Sequence, residues 1–277
     1  MADYITAGAE WSIPSWGSGQ NATLLSRITK VSAALAVAAD SHDVTQDSAT
    51  IADNLAGLRA WSVRVDAQAH TVPKIGNFGK ITVAGATPYI LHLKGWTMRL
   101  ETPVHDITVV PSGTAPTFRS YRPDYMRVSG RFMCGISADN ALTLPTAANT
   151  VVGSLATATF TYGNGGTPET LATKVNIGPM GVQVGRGQEA MVVYEYVGTG
   201  TLTSAGTAPL FAAGAVTGPL WTAGGSITGA LVLATLTGSR TLTGTDSFWR
   251  AIEISSSVDG VISVGIDIQG CGDLTPA

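Results

Sequence analysis

The tetrapeptide His42-Asp43-Val44-Thr45 returns 63 residues later as His105-Asp106-Ile107-Thr108. An imidazole beside a carboxylate is raw material for a metal site, or for a base held by an orienting acid. Adjacent residues of a strand point to opposite faces, however, so neither His-Asp pair converges on one ion by itself. No third or fourth ligand follows at a useful spacing. The pattern fits a structural role better, with Asp and Thr bonding the backbone where a strand ends in a turn. At the same spacing Arg59 falls on Arg122, Arg64 on Arg127 and Val65 on Val128. Two of only four histidines coincide as well, so the chain contains a duplicated unit, and the copies preserve strand and turn residues rather than a nucleophile.

Other chemistry finds little support. There is no G-x-S-x-G motif, and Cys134 falls on the apolar side of an alternating run, as a buried free thiol would; a disulfide with Cys271 is not expected. Gly163-Asn164-Gly165-Gly166 and Gly185-Arg186-Gly187 lack the following helix that a phosphate cradle needs, and read as hairpin turns. Paired carboxylates for glycoside chemistry cannot be picked out. Asn21-Ala22-Thr23 matches a glycosylation sequon, but Met1–Tyr4 does not begin a signal peptide. The expectation is a protein that is not an enzyme, with no cofactor and no metal. Of the six tryptophans, Trp61 and Trp96 lie on apolar strand faces and read as core. Trp11 and Trp16, in a Pro- and Gly-containing terminal arm, read as anchors on a neighbouring subunit.

The elements that position these residues are legible from parity. Trp61, Val63, Val65, Ala67 and Ala69 alternate with Ser62, Arg64, Asp66 and Gln68, which describes a half-buried strand. Met126, Val128, Phe132, Cys134 and Ile136 do the same in the second copy, and Arg64 and Arg127 fall on the polar faces. Leu91 and Leu93 share a face, whereas Trp96, Met98 and Leu100 take the opposite parity. A β-bulge across Lys94-Gly95 accounts for the switch. Ile252 and Ile254, the Asp259-Gly260 turn, and then Ile262, Val264, Ile266 and Ile268 describe a terminal hairpin. A second hairpin joins Gly181–Val184 to Met191–Val197. A short helix capped by Asp47 or Ser48 is expected, with Ile51, Leu55 and Leu58 facing inward. Leu24, Ile28, Val31 and Leu35 have helical spacing, but align with the second copy's strand and are read as strand.

The composition agrees with an all-β chain. Charged residues are 13%, against roughly 25% in an average soluble domain, and Gly, Thr, Ala and Ser fill the gap. So little surface charge does not keep a lone monomer apart, and points to a surface covered by neighbours. The net charge is −3, with no basic run to grip nucleic acid. The uncharged stretch from Tyr196 to Ser239 is interrupted by glycines and Pro219, and makes no continuous apolar span. Two consecutive units would place the copies half a chain apart. The shorter spacing favours a nested arrangement, with residues 76–206 forming one unit inside a second unit built from 1–75 and 207–277.

Several runs then resemble tail tube proteins of long-tailed bacteriophages. They are Gly79–Gly85, Ile90–Leu100 with Gly95-Trp96-Thr97, His105–Thr108, the Phe118–Pro123 loop, Val128-Ser129-Gly130, Ala138-Asp139-Asn140, and Val258–Ile262 closing in Gln269–Gly272. The match is to a pattern spread over roughly residues 76–140 and 250–274. The resemblance implies β-sandwich or barrel-like units whose long strands join those of neighbours into a closed β-barrel. It further implies stacked rings in the phage tail, assembled in the bacterial host cytoplasm, with a tape-measure protein and passing double-stranded DNA in the lumen. Rings of this family are commonly hexameric; a doubled chain would close an equivalent ring as a trimer. No membrane partner is implied. The alternatives are another virion protein (capsid decoration, head–tail connector or tail tip) and a carbohydrate-binding or hydrolytic virion module.

Overall fold

The computed structural model describes residues 11–12, 20–43, 54–69, 79–83, 89–108, 119–135, 152–162, 169–186, 190–216, 229–234, 239–244, 247–256 and 262–276. The chain begins with β1 (Trp11–Ser12), one short helix α1 (Gln20–Arg27), and two long strands, β2 (Ile28–Asp43) and β3 (Asn54–Ala69). It continues through β4 (Gly79–Val83), β5 (Tyr89–Glu101), β6 (Val104–Asp106), β7 (Tyr121–Pro123) and β8 (Arg127–Gly135). Next come β9 (Leu155–Tyr162), β10 (Glu169–Gln183), β11 (Met191–Gly198), β12 (Thr203–Ala205) and β13 (Gly214–Ala215). The C-terminal part adds β14 (Gly229–Ala234), β15 (Ser239–Gly244), β16 (Ser247–Ser256), β17 (Ser263–Gly270) and β18 (Leu274–Pro276). All pairings are antiparallel, so the chain is all-β.

Twelve strands share one sheet, with the path β13-β12-β10-β11-β8-β5-β16-β17-β3-β2 and with β4 and β9 branching from it. The branch closes on itself. β4 pairs with β5, β5 with β8, β8 with β11, β11 with β10, β10 with β9, and β9 returns to β4. Aromatic rings fill this circuit. Trp96 of β5 meets Phe160 of β9 at 5.2 Å between centroids, and Phe160 meets Tyr196 of β11 at 5.2 Å. Neither pair comes from adjacent strands, so these rings reach across the interior. Phe132 stacks on Tyr194 at 5.1 Å and completes the cluster. Ring pairs of this kind add to the gain from burying their area.

Past the circuit, the second half of β5 pairs with β16, and the sheet runs on through β17 and β3 to β2. The β3–β17 seam joins the N-terminal and C-terminal parts of the chain. Its inner face is apolar by simple alternation: Val63, Val65 and Ala67 of β3 stand beside Val264, Ile266 and Ile268 of β17, all buried. A separate four-stranded sheet has the order β1-β14-β15-β18, and β6 pairs with β7 on their own. No helix among the described residues is long and apolar enough to cross a membrane.

The bulge in β5 sits where parity placed it, between Leu93 and Gly95. The register of β2 shifts between Lys30 and Ser32, so the extra residue is Val31, the repeat counterpart of Lys94. Both expected hairpins form, β10–β11 and β16–β17. Two expectations need correction. Leu55 and Leu58 belong to β3 rather than to a capped helix, because that segment pairs with the far end of β2. Leu24 belongs to α1, and strand begins only at Ile28. The copies also differ in register. Leu100 faces Val128, yet Val37 faces Trp61, four residues short of the equivalent Val65. A shift of an even number keeps every side chain on its face. Val44, Thr45, Asp47, Ser48, Ile51, Ile136, the 163–166 loop, the Ala138–Asn140 corner and the Asp259-Gly260 turn lie outside the described residues, as does Trp16.

Candidate functional site

The polar face of the main sheet carries a ladder of paired charges. Alternation places Arg64 and Asp66 on the solvent side of β3, and Arg99 and Glu101 on that of β5. Arg64 bonds Asp66 at 3.1 Å through Nε and Asp267 of β17 at 2.8 Å through Nη1, and lies 3.5 Å from Glu253 of β16. Glu253 also takes Arg99 Nη1 at 2.9 Å, and Arg99 Nε reaches Glu101 at 3.3 Å. Further along, Arg131 of β8 pairs with Glu195 of β11 at 3.0 Å, while its backbone N–H donates to Thr97 Oγ1. Hydrogen bonds donated to these carboxylates push both Arg64 and Arg99 further up from their ordinary value, the first mainly through Asp267, the second mainly through Glu101.

Arg64, Asp66, Arg99, Arg131, Glu195 and Glu253 line an open trough of about 770 Å³, shared with Ser129, Gly130, Gly178 and Pro179. Three guanidinium groups (Arg64, Arg99, Arg131) face five carboxylates (Asp66, Asp267, Glu253, Glu101, Glu195). Every arginine of the trough is therefore already paired with a carboxylate. Gly130 has a specific reason to be glycine: a Cβ there would sit 2.0 Å from the Thr97 carbonyl and 2.7 Å from the Tyr196 hydroxyl. That hydroxyl donates to the same carbonyl at 3.0 Å, tying β11 to β5 over the missing side chain.

The second copy of the repeated turn is held by its own side chains. Asp106 Oδ1 accepts from the Thr108 N–H at 2.9 Å and from its hydroxyl at 2.6 Å. Thr108 Oγ1 in turn accepts from the Ser120 N–H at 2.9 Å. These bonds, chiefly the one from the Thr108 hydroxyl, hold the Asp106 carboxyl below its usual range. His105 stands apart, exposed and 3.6 Å from Asp124. The imidazole and its neighbouring carboxylate thus have different partners, and among the described residues no group of three His, Cys, Asp or Glu is placed to hold a metal.

Arg119 is the junction of the two copies. Its guanidinium bonds Asp106 at 2.7 Å and also Asp40 on β2. Its backbone N–H donates to the Arg59 carbonyl at 2.7 Å, and its carbonyl accepts from Gly272. Next to it, Cys271 Sγ lies 3.0 Å from both the N–H and the carbonyl of Tyr121. Neither cysteine forms a disulfide, both are buried, and burial raises the Cys134 thiol to about 12.

Of the residues singled out in the sequence, Asp106, Thr108 and Arg64 join these networks. Arg127 is exposed at the start of β8 opposite Glu101, so the repeated arginines differ in role. In the first copy, His42 faces Leu55 and Asp43 faces Asn54 along the β2–β3 hairpin. Trp11 lies in β1, opposite Leu233 of β14. Sequence reasoning passed over Arg99, Glu253, Asp267, Arg131, Glu195, Asp40 and the bridging role of Arg119. The Arg-x-Asp and Arg-x-Glu spacings of β3 and β5 were a visible signal for part of the ladder. Comparison with family models, with curated proteins and with solved structures gives no match.

Proposed function

We propose that this chain is a structural subunit of a bacteriophage virion, the building block of a tail tube, which assembles into stacked rings around a passage for DNA. The observation that carries this reading is the outer edge of the main sheet. β2 is 16 residues, about 50 Å at the usual rise, and among the described residues it pairs only with β3. Its run Ala33-Ala34-Leu35-Ala36-Val37-Ala38-Ala39 carries no charge, and Val37 is 53% exposed. Soluble monomers blunt such an edge with lysine, proline or a short strand, because open N–H and C=O groups recruit another strand. Here the edge is long and unprotected, which suits a subunit whose neighbour completes the sheet.

The paired-charge face supports the same reading. A lumen that passes DNA must not bind it, and arginines already neutralised by surplus carboxylates release no counterions from phosphate. In this reading residues 76–206 form one tube unit, the two chain ends form the other, and no residue is catalytic. The partners are further copies of the chain, a tape-measure protein and double-stranded DNA within the lumen. Negative-stain electron microscopy of the purified protein tests the proposal. Hollow rings or tubes are expected; monodisperse monomers that bind glycans would replace it with the carbohydrate-binding alternative.

A further inference from the structure

Eight strands of the main sheet repeat one order: β10-β11-β8-β5 is followed by β16-β17-β3-β2. In each set a hairpin lies beside a strand pair of the 63-residue repeat. The bulges agree as well. The first strand of each repeat pair bulges at the same position, Val31 or Lys94. The first strand of each hairpin also shifts register, between Ile177 and Met180 in β10 and between Trp249 and Ala251 in β16. The two sets meet at one seam inside the chain, where Trp96–Glu101 of β5 pairs with Ala251–Ser256 of β16.

The corresponding edges at the far ends of this eight-strand run have no partner among the described residues. One is β2 over Ala33–Ala38, the repeat counterpart of Trp96–Glu101. The other is β10 beyond Ile177, whose N–H and C=O make the last bonds to Ser154 and Gly153. We infer that β2 of one chain pairs antiparallel with β10 of a second copy, repeating between chains the seam that β5 and β16 make within one. The inference rests on the assembly reading above and adds to it the two edges and their register. The last pairs of the hairpins are Gln183 with Met191 and Ser255 with Ser263, so Gln183 corresponds to Ser255 and Gly181 to Glu253. Ser255 faces Thr97 and Glu253 faces Arg99, whose repeat counterparts are Ala34 and Ala36. The intermolecular seam therefore sets Ala34 opposite Gln183 and Ala36 opposite Gly181.

The surfaces fit that register. Residues 33–38 and 178–183 carry no charge, and the space beside Gly181 is open. Ala34, Ala36, Gly181 and Gln183 are exposed. The two edges differ from one another, so the contact is head-to-tail, and it closes into a ring where the rotation between successive chains returns to the first.

The test is the full-length double variant Ala34→Cys with Gln183→Cys, oxidised and run on a non-reducing gel, with electron microscopy of the same sample. The control is Ala34→Cys with Val182→Cys, whose side chains point to opposite faces of the sheet and cannot meet disulfide geometry. Linked multimers are expected from the first variant and monomer from the control. Assembled particles without links, or equal linking in the control, overturn the seam while leaving the tube reading in place. Linked chains without rings keep the seam and overturn the tube reading. Absence of both links and assembly overturns the two together.

Discussion

Arg119 concentrates the residue-level argument, because one side chain bonds carboxylates from both copies of the repeat, Asp106 and Asp40. Asp106 is acid-sensitive. Its folded value is depressed below 3.8, so the stability it contributes is complete above that value and is lost as pH falls through the lower one. Asp106→Asn removes that step: acid unfolding followed by circular dichroism becomes less steep below about pH 4, whereas an unchanged profile contradicts the assignment. Gly130 gives a sharper packing prediction. Gly130→Ala drives a methyl group into the Thr97 carbonyl and displaces the Tyr196 hydroxyl. The expected loss is about 1–3 kcal/mol of unfolding free energy, the range for overpacking, measured by denaturant titration. Phe132→Ala, at the centre of the aromatic cluster, costs about 3–5 kcal/mol by leaving a cavity.

At the scale of elements, the edge strand β2 carries the most consequence. Val37→Lys puts a charge on a half-exposed position of an uncharged edge. The variant is expected to keep the far-ultraviolet spectrum of the parent while losing assembly in sedimentation velocity, because a lysine at an edge discourages strand addition. Retained assembly would show that β2 is not the joining edge. Much of this architecture was legible in the sequence, because period-2 alternation reports directly on which face a residue occupies. Parity located the β5 bulge at Lys94, the two hairpins, and the inner faces of β3, β8 and β17. What escaped was pairing over long distance. Nothing local in Asn54–Leu58 says that it continues β3, and Leu24 departs from strand because the helix α1 ends only at Arg27. The four-residue difference in register between the copies is equally silent, since an even shift leaves the alternation intact. The ladder was half legible: Arg64-x-Asp66 and Arg99-x-Glu101 are visible in sequence, but Glu253, which joins them, comes from β16, more than 150 residues further on.

For the whole molecule, the order β10-β11-β8-β5-β16-β17-β3-β2 makes one chain equivalent to two consecutive building blocks of a single sheet. The internal β5–β16 seam shows how one block follows another, and under the proposed pairing the β2 and β10 edges, which have no partner among the described residues, would extend that rule to neighbouring chains. A ring that takes six single blocks would close with three such chains. Cryo-electron microscopy of the assembled protein tests this most directly, by counting chains in the ring cross-section. Hollow rings of three chains with a continuous sheet around the passage are expected; six chains per ring, or a monomer that never assembles, would contradict the doubled-subunit reading.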